Sequence, residues 1–201
     1  MNRGIYSTWI KWQLDFTLAA VGLLLLFIPM AGIALLLVVF DGRPVFFRQA
    51  RVGRHGNVFH VYKFRTMTVE LSCGSHVTVG GDRRITKFGA WLRRWKLDEL
   101  PQLLNVLAGQ MSFVGPRPDV PGYMDRLQGD AASLLELRPG ITGPATLAFR
   151  DEEDLLAKAS DPIAYNDQVI FPEKVRLNLK YLDEMSLLTD LRYIFRTLLS
   201  R

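Results

Sequence analysis

Cysteine is almost missing from this chain of 201 residues: Cys73 stands alone, which excludes an intramolecular disulfide framework and fits a protein facing the cytosol. Cys73 and His76 have a C-x-x-H spacing, but no second pair lies nearby to complete a zinc tetrahedron, so no zinc site is expected there. Internal repeats and low-complexity tracts are lacking as well. The 25 Lys and Arg against 20 Asp and Glu give a net charge of +5, which favours polyanions as partners: nucleic acid, anionic lipid headgroups or nucleotide phosphates. Neither a recognition-helix pattern nor a ribonucleoprotein motif accompanies that charge, so nucleic acid is not an expected partner. The most informative absence is local. From Phe16 to Phe40 there is no charged residue at all.

That run is bracketed by Asp15 and Asp41 and is the source of a positive mean hydropathy of +0.10 in a chain with 22% charged residues. As a helix it reaches roughly 37 Å at about 1.5 Å per residue, enough to cross a hydrocarbon core of about 30 Å. It is too long for a secretory signal peptide and lacks a small-residue cleavage site. Pro29 lies near its middle, where it removes one backbone hydrogen bond and kinks the helix, and Gly22 and Gly32 loosen it further. Two geometries stay open: a kinked helix that spans the bilayer, the commoner arrangement, or a re-entrant one that returns both ends to one face. Arg3 and Lys11 precede the run, and Arg43, Arg48, Arg51 and Arg54 follow it. Both flanks therefore carry the positive charge that marks the cytoplasm, and the excess on the C-terminal side also suits a single crossing. The expected organisation is a membrane helix at 1–41 and one catalytic domain at 42–201, long enough to bury a core without disulfides.

In the remainder, Pro44-Val45-Phe46-Phe47-Arg48-Gln49 and Phe59-His60-Val61-Tyr62-Lys63-Phe64-Arg65 read as two strands of a hairpin, with a turn at 53–57. Lys63 and Arg65 alternate with Tyr62 and Phe64, so two cations project from the face opposite the buried one, as an anion site or as a solvated strand face. Residues 66–82 are polar and Gly-rich and read as a loop. Ile85, Phe88, Leu92 and Trp95 then mark one helical stripe among Arg84, Lys87, Arg93, Arg94 and Lys96, with Trp91 nearby. A basic amphipathic helix with tryptophans suits a membrane surface, and packing of the stripe into the domain's own core is the competing reading.

The chain is organised around Leu97-Asp98-Glu99-Leu100-Pro101-Gln102. Leu100, Leu103, Leu104 and Leu107 follow at the spacing of one helical face, and Pro101 is tolerated only in a first turn, so Asp98 sits at or next to a helix N-terminus. Unpaired N–H groups and the positive end of the helix dipole keep a carboxylate ionised there and also attract phosphate. An ionised Asp is a competent nucleophile toward phosphorus, and Glu99, pointing elsewhere, can hold a divalent cation or move a proton. The plain alternative is that Asp98 is an N-cap and Glu99 a first-turn residue. Ser112-Phe113-Val114 reads as a strand. In Gly115-Pro116-Arg117-Pro118 two prolines fix the backbone on either side of one guanidinium, which suits bidentate phosphate recognition. Arg138-Pro139-Gly140-Ile141-Thr142-Gly143 is a second rigid turn, and Asp151-Glu152-Glu153-Asp154 reads as a solvated helix start. From Val175 onward Leu177, Leu179, Leu182, Leu188, Leu191, Phe195, Leu198 and Leu199 recur as in a pair of amphipathic helices covering the core or the membrane surface.

Assembled, these motifs resemble the bacterial sugar transferase family, the monotopic polyprenol-phosphate phosphoglycosyl transferases. The likeness rests on the strand motif at 44–49 with Arg51-Val52-Gly53, on Tyr62-Lys63-Phe64-Arg65-Thr66-Met67, and on Arg84-Ile85-Thr86-Lys87-Phe88-Gly89. It continues through the 97–102 motif, 112–118 and 138–143, in family order from about residue 10 to 200. The resemblance implies an α/β domain of the α+β kind, mostly helical and membrane-associated, with a re-entrant N-terminal helix kinked at Pro29 and interfacial amphipathic helices. It implies an active site on the cytoplasmic face of the bacterial inner membrane. It implies attack of Asp98 on the β-phosphate of a UDP-sugar with release of UMP, then transfer of the phosphosugar to polyprenol phosphate. Glu99 resembles the family's magnesium-associated carboxylate, Arg93 and Arg117 its phosphate-binding arginines, and Lys63 a catalytic helper; Arg65 and Arg150 join the expected phosphate-binding set, with Mg²⁺ as cofactor.

Three positions depart from the pattern. Ile28 precedes Pro29 where the family usually has Ser, Lys96 takes a position usually held by Ser or Thr, and Pro144-Ala145-Thr146-Leu147-Ala148-Phe149-Arg150 follows Thr142-Gly143 in place of a Trp and an Asn-Gly-Arg. Only Arg150 of that last motif is kept. The chain also looks like a minimal catalytic version without the extra membrane helices and domain of larger relatives. Two other readings are carried: a membrane-tethered UDP-sugar hydrolase with water as acceptor, and a non-enzymatic membrane-surface module.

Overall fold

The uncharged run forms the middle of one long helix, α1, Lys11–Asp41, entered through a π-helical turn at Tyr6–Ile10. The computed structural model describes residues 6–68 and 84–199, so Cys73 and His76 lie outside the described residues. The helix continues through Pro29. Its buried residues are Lys11, Asp15 and Ala19 toward one end and Ile33 and Leu37 toward the other. Between them Leu24, Leu25, Phe27 and Ile28 are 69% to 80% exposed, so one face of the middle stands clear of the protein's core. Among the described residues this is the one helix long and apolar enough to cross a membrane by length and composition.

Strands β1, Phe46–Val52, and β2, Val58–Phe64, pair antiparallel from Phe46 opposite Phe64 to Val52 opposite Val58. Alternation puts Phe59 and Val61 inside, where they meet Ala19 of α1, Val106 and Met111. Both strands run further toward the turn than the hydrophobic pattern indicates, because His55 and Gly56 take positive φ and reverse the chain within one 3₁₀ turn at Arg54–Gly56.

Helix α2, Lys87–Arg94, is capped by Thr86, whose Oγ1 accepts from the Gly89 N–H (2.8 Å) and donates to Asp41 Oδ2 (2.8 Å). One hydroxyl thus satisfies an orphan amide and ties α2 to the end of α1. A Cβ on Gly89 would stand 2.3 Å from the Thr66 carbonyl oxygen, so only glycine allows this approach. The expected stripe divides: Leu92 and Phe88 pack against Ile33, Leu37 and Phe64, whereas Trp91 and Trp95 face outward. Core packing and an exposed aromatic edge are both present.

Helix α3, Gln102–Leu107, buries Gln102, Leu103, Asn105 and Val106, while Leu104 is exposed. The face differs from the leucine spacing because Asn105 is turned inward. Its Oδ1 accepts from Tyr62 N–H (3.0 Å) and its Nδ2 donates to the His60 carbonyl and Gln110 Oε1 (both 2.8 Å), fastening α3 to β2.

Strands β3, Ser112–Val114, and β4, Gly140–Thr142, pair in parallel. The Pro-rich turn after β3 lies backbone to backbone against β4: Gly115 N–H donates to the Thr142 carbonyl (2.9 Å) and Gly140 N–H to that of Pro116 (2.7 Å). A Cβ on Gly140 would fall 2.1 Å from the Gly115 nitrogen. Five helices complete the chain: α4, Pro144–Ala148, α5, Glu152–Lys158, α6, Pro162–Tyr165, α7, Phe171–Glu184, and α8, Leu187–Leu199.

Helix α7 lays Phe171, Val175, Leu179 and Leu182 over Val52, Met124 and Leu134. Helix α8 leaves Leu188, Leu191, Phe195, Leu198 and Leu199 exposed. The N-terminal and C-terminal regions meet at Asp190, whose carboxylate accepts from Lys11 Nζ (2.5 Å), Tyr6 OH (2.7 Å) and Tyr181 OH (2.6 Å). The molecule is mostly helical with small sheets, as expected, and α1 is built into its core at both ends.

Candidate active site

Three connections converge beside α1: the end of β2, the reversal between α2 and α3, and the turn after β3. At the reversal Lys96 takes φ 55, the left-handed region, and Leu97–Glu99 form one 3₁₀ turn. Leu97 and Leu100, on either side of the two carboxylates, pack onto the cluster of Ile33 and Leu37. That anchoring turns Asp98 inward until it is 7% exposed.

Pro101 holds the N-cap position of α3 and no side chain caps that helix. Asp98 is therefore not a cap, and among the described residues its carboxylate accepts no hydrogen bond. Burial pushes its carboxyl above the usual aspartate range, nearby Lys63 pulls it back, and Glu99 adds to the rise. The expectation that a helix terminus holds Asp98 ionised is corrected here: it lies a turn ahead of α3, where desolvation dominates. Lys63, Arg93 and Lys96 are the groups that favour its ionised form.

Glu99 is the opposite case. Its Oε1 accepts from Lys63 Nζ (2.8 Å) and from Arg117 Nη2 (2.6 Å). Burial alone would raise its carboxyl, but Arg117 and Lys63 outweigh burial and hold it well below the usual range. Lys63 itself is lowered by burial, with Glu99 opposing, and Glu99 raises Arg117. Two adjacent carboxylates thus sit in contrasting settings, one free and uphill to ionise, the other locked as an anion.

Four of the expected residues, Lys63, Asp98, Glu99 and Arg117, are brought together. Arg93 is close enough to act on Asp98 electrostatically and is paired with Glu153. Arg65 is not in the set. Its Nη1 donates to the Arg43 carbonyl (3.1 Å) and its Nη2 to those of Asp41 (2.5 Å) and Gly42 (2.8 Å). It neutralises the negative end of α1, which engages both terminal nitrogens of the guanidinium and leaves Nε without a partner among the described residues. Arg150 is exposed at the end of α4 and makes none of these contacts. Pro29 lies in the exposed middle of α1.

Several residues had no signal in the sequence. The acidic run opens α5 as a largely solvated helix start, as expected, and two of its members also pair with distant cations: Glu153 with Arg93 and Glu152 with Lys174 (2.7 Å). Arg51 donates to the Pro118 carbonyl (3.2 Å) and steadies the turn that carries Arg117. No local spacing links residues so far apart.

Among the described residues no three His, Cys, Asp or Glu side chains form a metal cage. Magnesium does not need one, since it takes one or two carboxylates together with substrate phosphates and waters. Both cations occupy Oε1 of Glu99. Its other oxygen and the Asp98 carboxylate are the donors that fit such an ion.

A family model described as bacterial sugar transferase matches residues 6–201. The chain belongs to the bacterial sugar transferase family. It is similar to the galactosyl transferase CpsE of Streptococcus agalactiae serotype III (strain NEM316), 35% identical over 92% of this chain and 40% of that protein. It is also similar to the UDP-glucose:undecaprenyl-phosphate glucose-1-phosphate transferase of Escherichia coli (strain K12), 36% identical over 91% of this chain and 38% of the relative. The exopolysaccharide production protein ExoY of Rhizobium meliloti (strain 1021) is 34% identical, with 90% of this chain and 80% of that protein covered. This bacterial sugar transferase thus spans about two fifths of the first two relatives and most of the third.

Proposed function

We propose that this bacterial sugar transferase moves a sugar-1-phosphate from a UDP-sugar to a polyprenol phosphate, in two steps through a covalent aspartyl phosphosugar. Asp98 carries the reading: a buried carboxylate that accepts no hydrogen bond among the described residues, beside a Glu99 clamped by Lys63 and Arg117, in a turn seated on an apolar helix. The names of the relatives supply the reactants by analogy, since the Escherichia coli protein is named for UDP-glucose and undecaprenyl phosphate.

In the first step an Asp98 oxygen attacks the β-phosphorus of the donor. The bond from that phosphorus to the bridging oxygen breaks, and UMP leaves with the oxygen and its electron pair. Arg117 and Lys63 stand where the diphosphate's charge has to be neutralised. Magnesium held by Glu99 and the diphosphate would add to that neutralisation. In the second step an oxygen of the polyprenol phosphate attacks the aspartyl-bound phosphorus. The Asp98 carboxylate is expelled, leaving a polyprenol diphosphate sugar.

The membrane enters through α1. Tyr6, Lys11 and Ala19 at one end and Ile33 and Leu37 at the other pack on the same body, and Leu24, Leu25, Phe27 and Ile28 between them are exposed. That arrangement supports a re-entrant helix whose tip is buried in lipid while both ends stay on the cytoplasmic face. The exposed leucines and Phe195 of α8, with Trp91 and Trp95, supply an apolar edge for the lipid surface.

The deciding assay is UMP release by the purified protein with magnesium and a panel of UDP-sugars, with and without polyprenol phosphate. Sustained release that requires the lipid, and a stop near one equivalent without it, is the expected result. Continued release without lipid means a hydrolase, and Asp98→Asn at full activity rules out the covalent step.

A further inference from the structure

Behind Arg117 lies a small recess that the carboxylate site does not use. It is walled by Arg117 and Asp119 from the turn after β3 and by Phe171, Lys174, Val175 and Asn178 from α7. Its volume is about 10 Å³, room for one water-sized group. Asn178 is 4% exposed, and its Oδ1 is buried with no hydrogen-bond donor among the described residues. Asp119 accepts no side-chain hydrogen bond among them either, although Lys174, Arg51 and Arg117 act on it electrostatically. Lys174 is already held by Glu152 (2.7 Å). The recess therefore holds two acceptors, Asn178 Oδ1 and the Asp119 carboxylate, that receive no side-chain hydrogen bond among the described residues.

A buried acceptor without a donor is a standing cost, and a single hydroxyl removes it: the group is small enough for this volume and brings one O–H. The position narrows the source. Arg117 lines the recess and also donates to Glu99, next to the nucleophile Asp98. A group entering from the donor's reacting β-phosphate passes this side chain first, and the sugar is attached to that phosphate.

We propose that the recess reads one hydroxyl of the donor's sugar ring, with Asn178 Oδ1 and the Asp119 carboxylate as its acceptors. Resting on the transferase reading above, this makes Asn178 on α7 and Asp119, next to the motif turn that carries Arg117, specificity-determining residues. A site built to pair a hydroxyl rejects an analogue that lacks it far better than an apolar pocket sorts by size. The two residues therefore set which UDP-sugar is used, while the catalytic carboxylates serve any of them.

The test compares kcat/KM for UMP release from UDP-glucose, UDP-galactose and the monodeoxy analogues of the better donor, in the wild type, Asn178→Ala, Asn178→Asp and Asp119→Asn. In the wild type, removal of the one hydroxyl that is read costs about 10- to 100-fold. In Asn178→Ala the same removal costs nothing further. Asn178→Asp keeps an acceptor and retains the discrimination, which covers an Asn178→Ala variant that does not fold. Equal losses with every donor in all three variants would overturn the proposal and leave a structural role. A parallel loss of inhibition by UMP would overturn it too, by showing that the recess reads the nucleotide. A wild type that releases no UMP from any UDP-sugar removes the transferase reading itself, and this proposal with it.

Discussion

At the scale of single residues, the site depends on two neighbouring carboxylates being treated differently. In the proposed covalent step Asp98 attacks as an anion, and burial raises its carboxyl, so activity is expected to fall as pH drops through a value above the ordinary aspartate range near 3.9. Lys63, lowered by burial, deprotonates below the ordinary lysine value near 10.4 and limits the alkaline side. The rate of UMP release against pH is therefore bell-shaped, and Lys63→Met moves its acid limb to higher pH because the group that most favours the Asp98 anion is gone. Glu99→Gln leaves Lys63 and Arg117 without their shared anion and frees both to move. We expect kcat to fall by about 10²-fold or more, with the protein still folded by circular dichroism. Asp98→Asn, which removes the nucleophile, loses more, about 10⁴-fold.

At the scale of elements, the contacts that matter are those between segments far apart in the chain. Asp190 on α8 receives Lys11, Tyr6 and Tyr181, all within 2.7 Å and almost out of water. Asp190→Ala strands a buried ammonium and two hydroxyls and should cost about 3–5 kcal/mol, read as a lower midpoint of thermal unfolding in detergent. The double variant Lys11→Met with Asp190→Leu recovers the ammonium's share of that loss, since an apolar pair has no charge to desolvate, while the Tyr6 and Tyr181 hydroxyls still lack their acceptor. Helix α1 carries the second expectation. With both ends on one face, Arg3→Cys in a Cys73→Ser background is protected from a membrane-impermeant thiol reagent in intact cells. Labelling there means a helix that crosses the bilayer.

At the scale of the whole molecule, what the sequence disclosed was whatever repeats at short range. The apolar run of α1, the alternation of β1 and β2, the strand at Ser112–Val114 and the helices after Val175 all follow from spacing, and the carboxylate pair was visible because two acids stand between two helical stripes. Arg65 misled because its alternation with Phe64 is real, while its guanidinium is claimed by carbonyls at the end of α1 and just after it, 22 to 24 residues earlier. Glu153 and Asp190 were hidden because their partners lie far off in sequence, and a polar residue on an amphipathic helix looks solvated until its neighbour is known. The cluster of Ile33, Leu37, Leu97 and Leu100 makes the membrane helix and the catalytic turn one rigid piece. With α1 in lipid, its depth and the height of Asp98 above the acyl chains become a single mechanical quantity, like the mark on a dipstick. In the proposed reaction a lipid phosphate is then accepted by the level at which it floats, a selection that needs no side chain to recognise it.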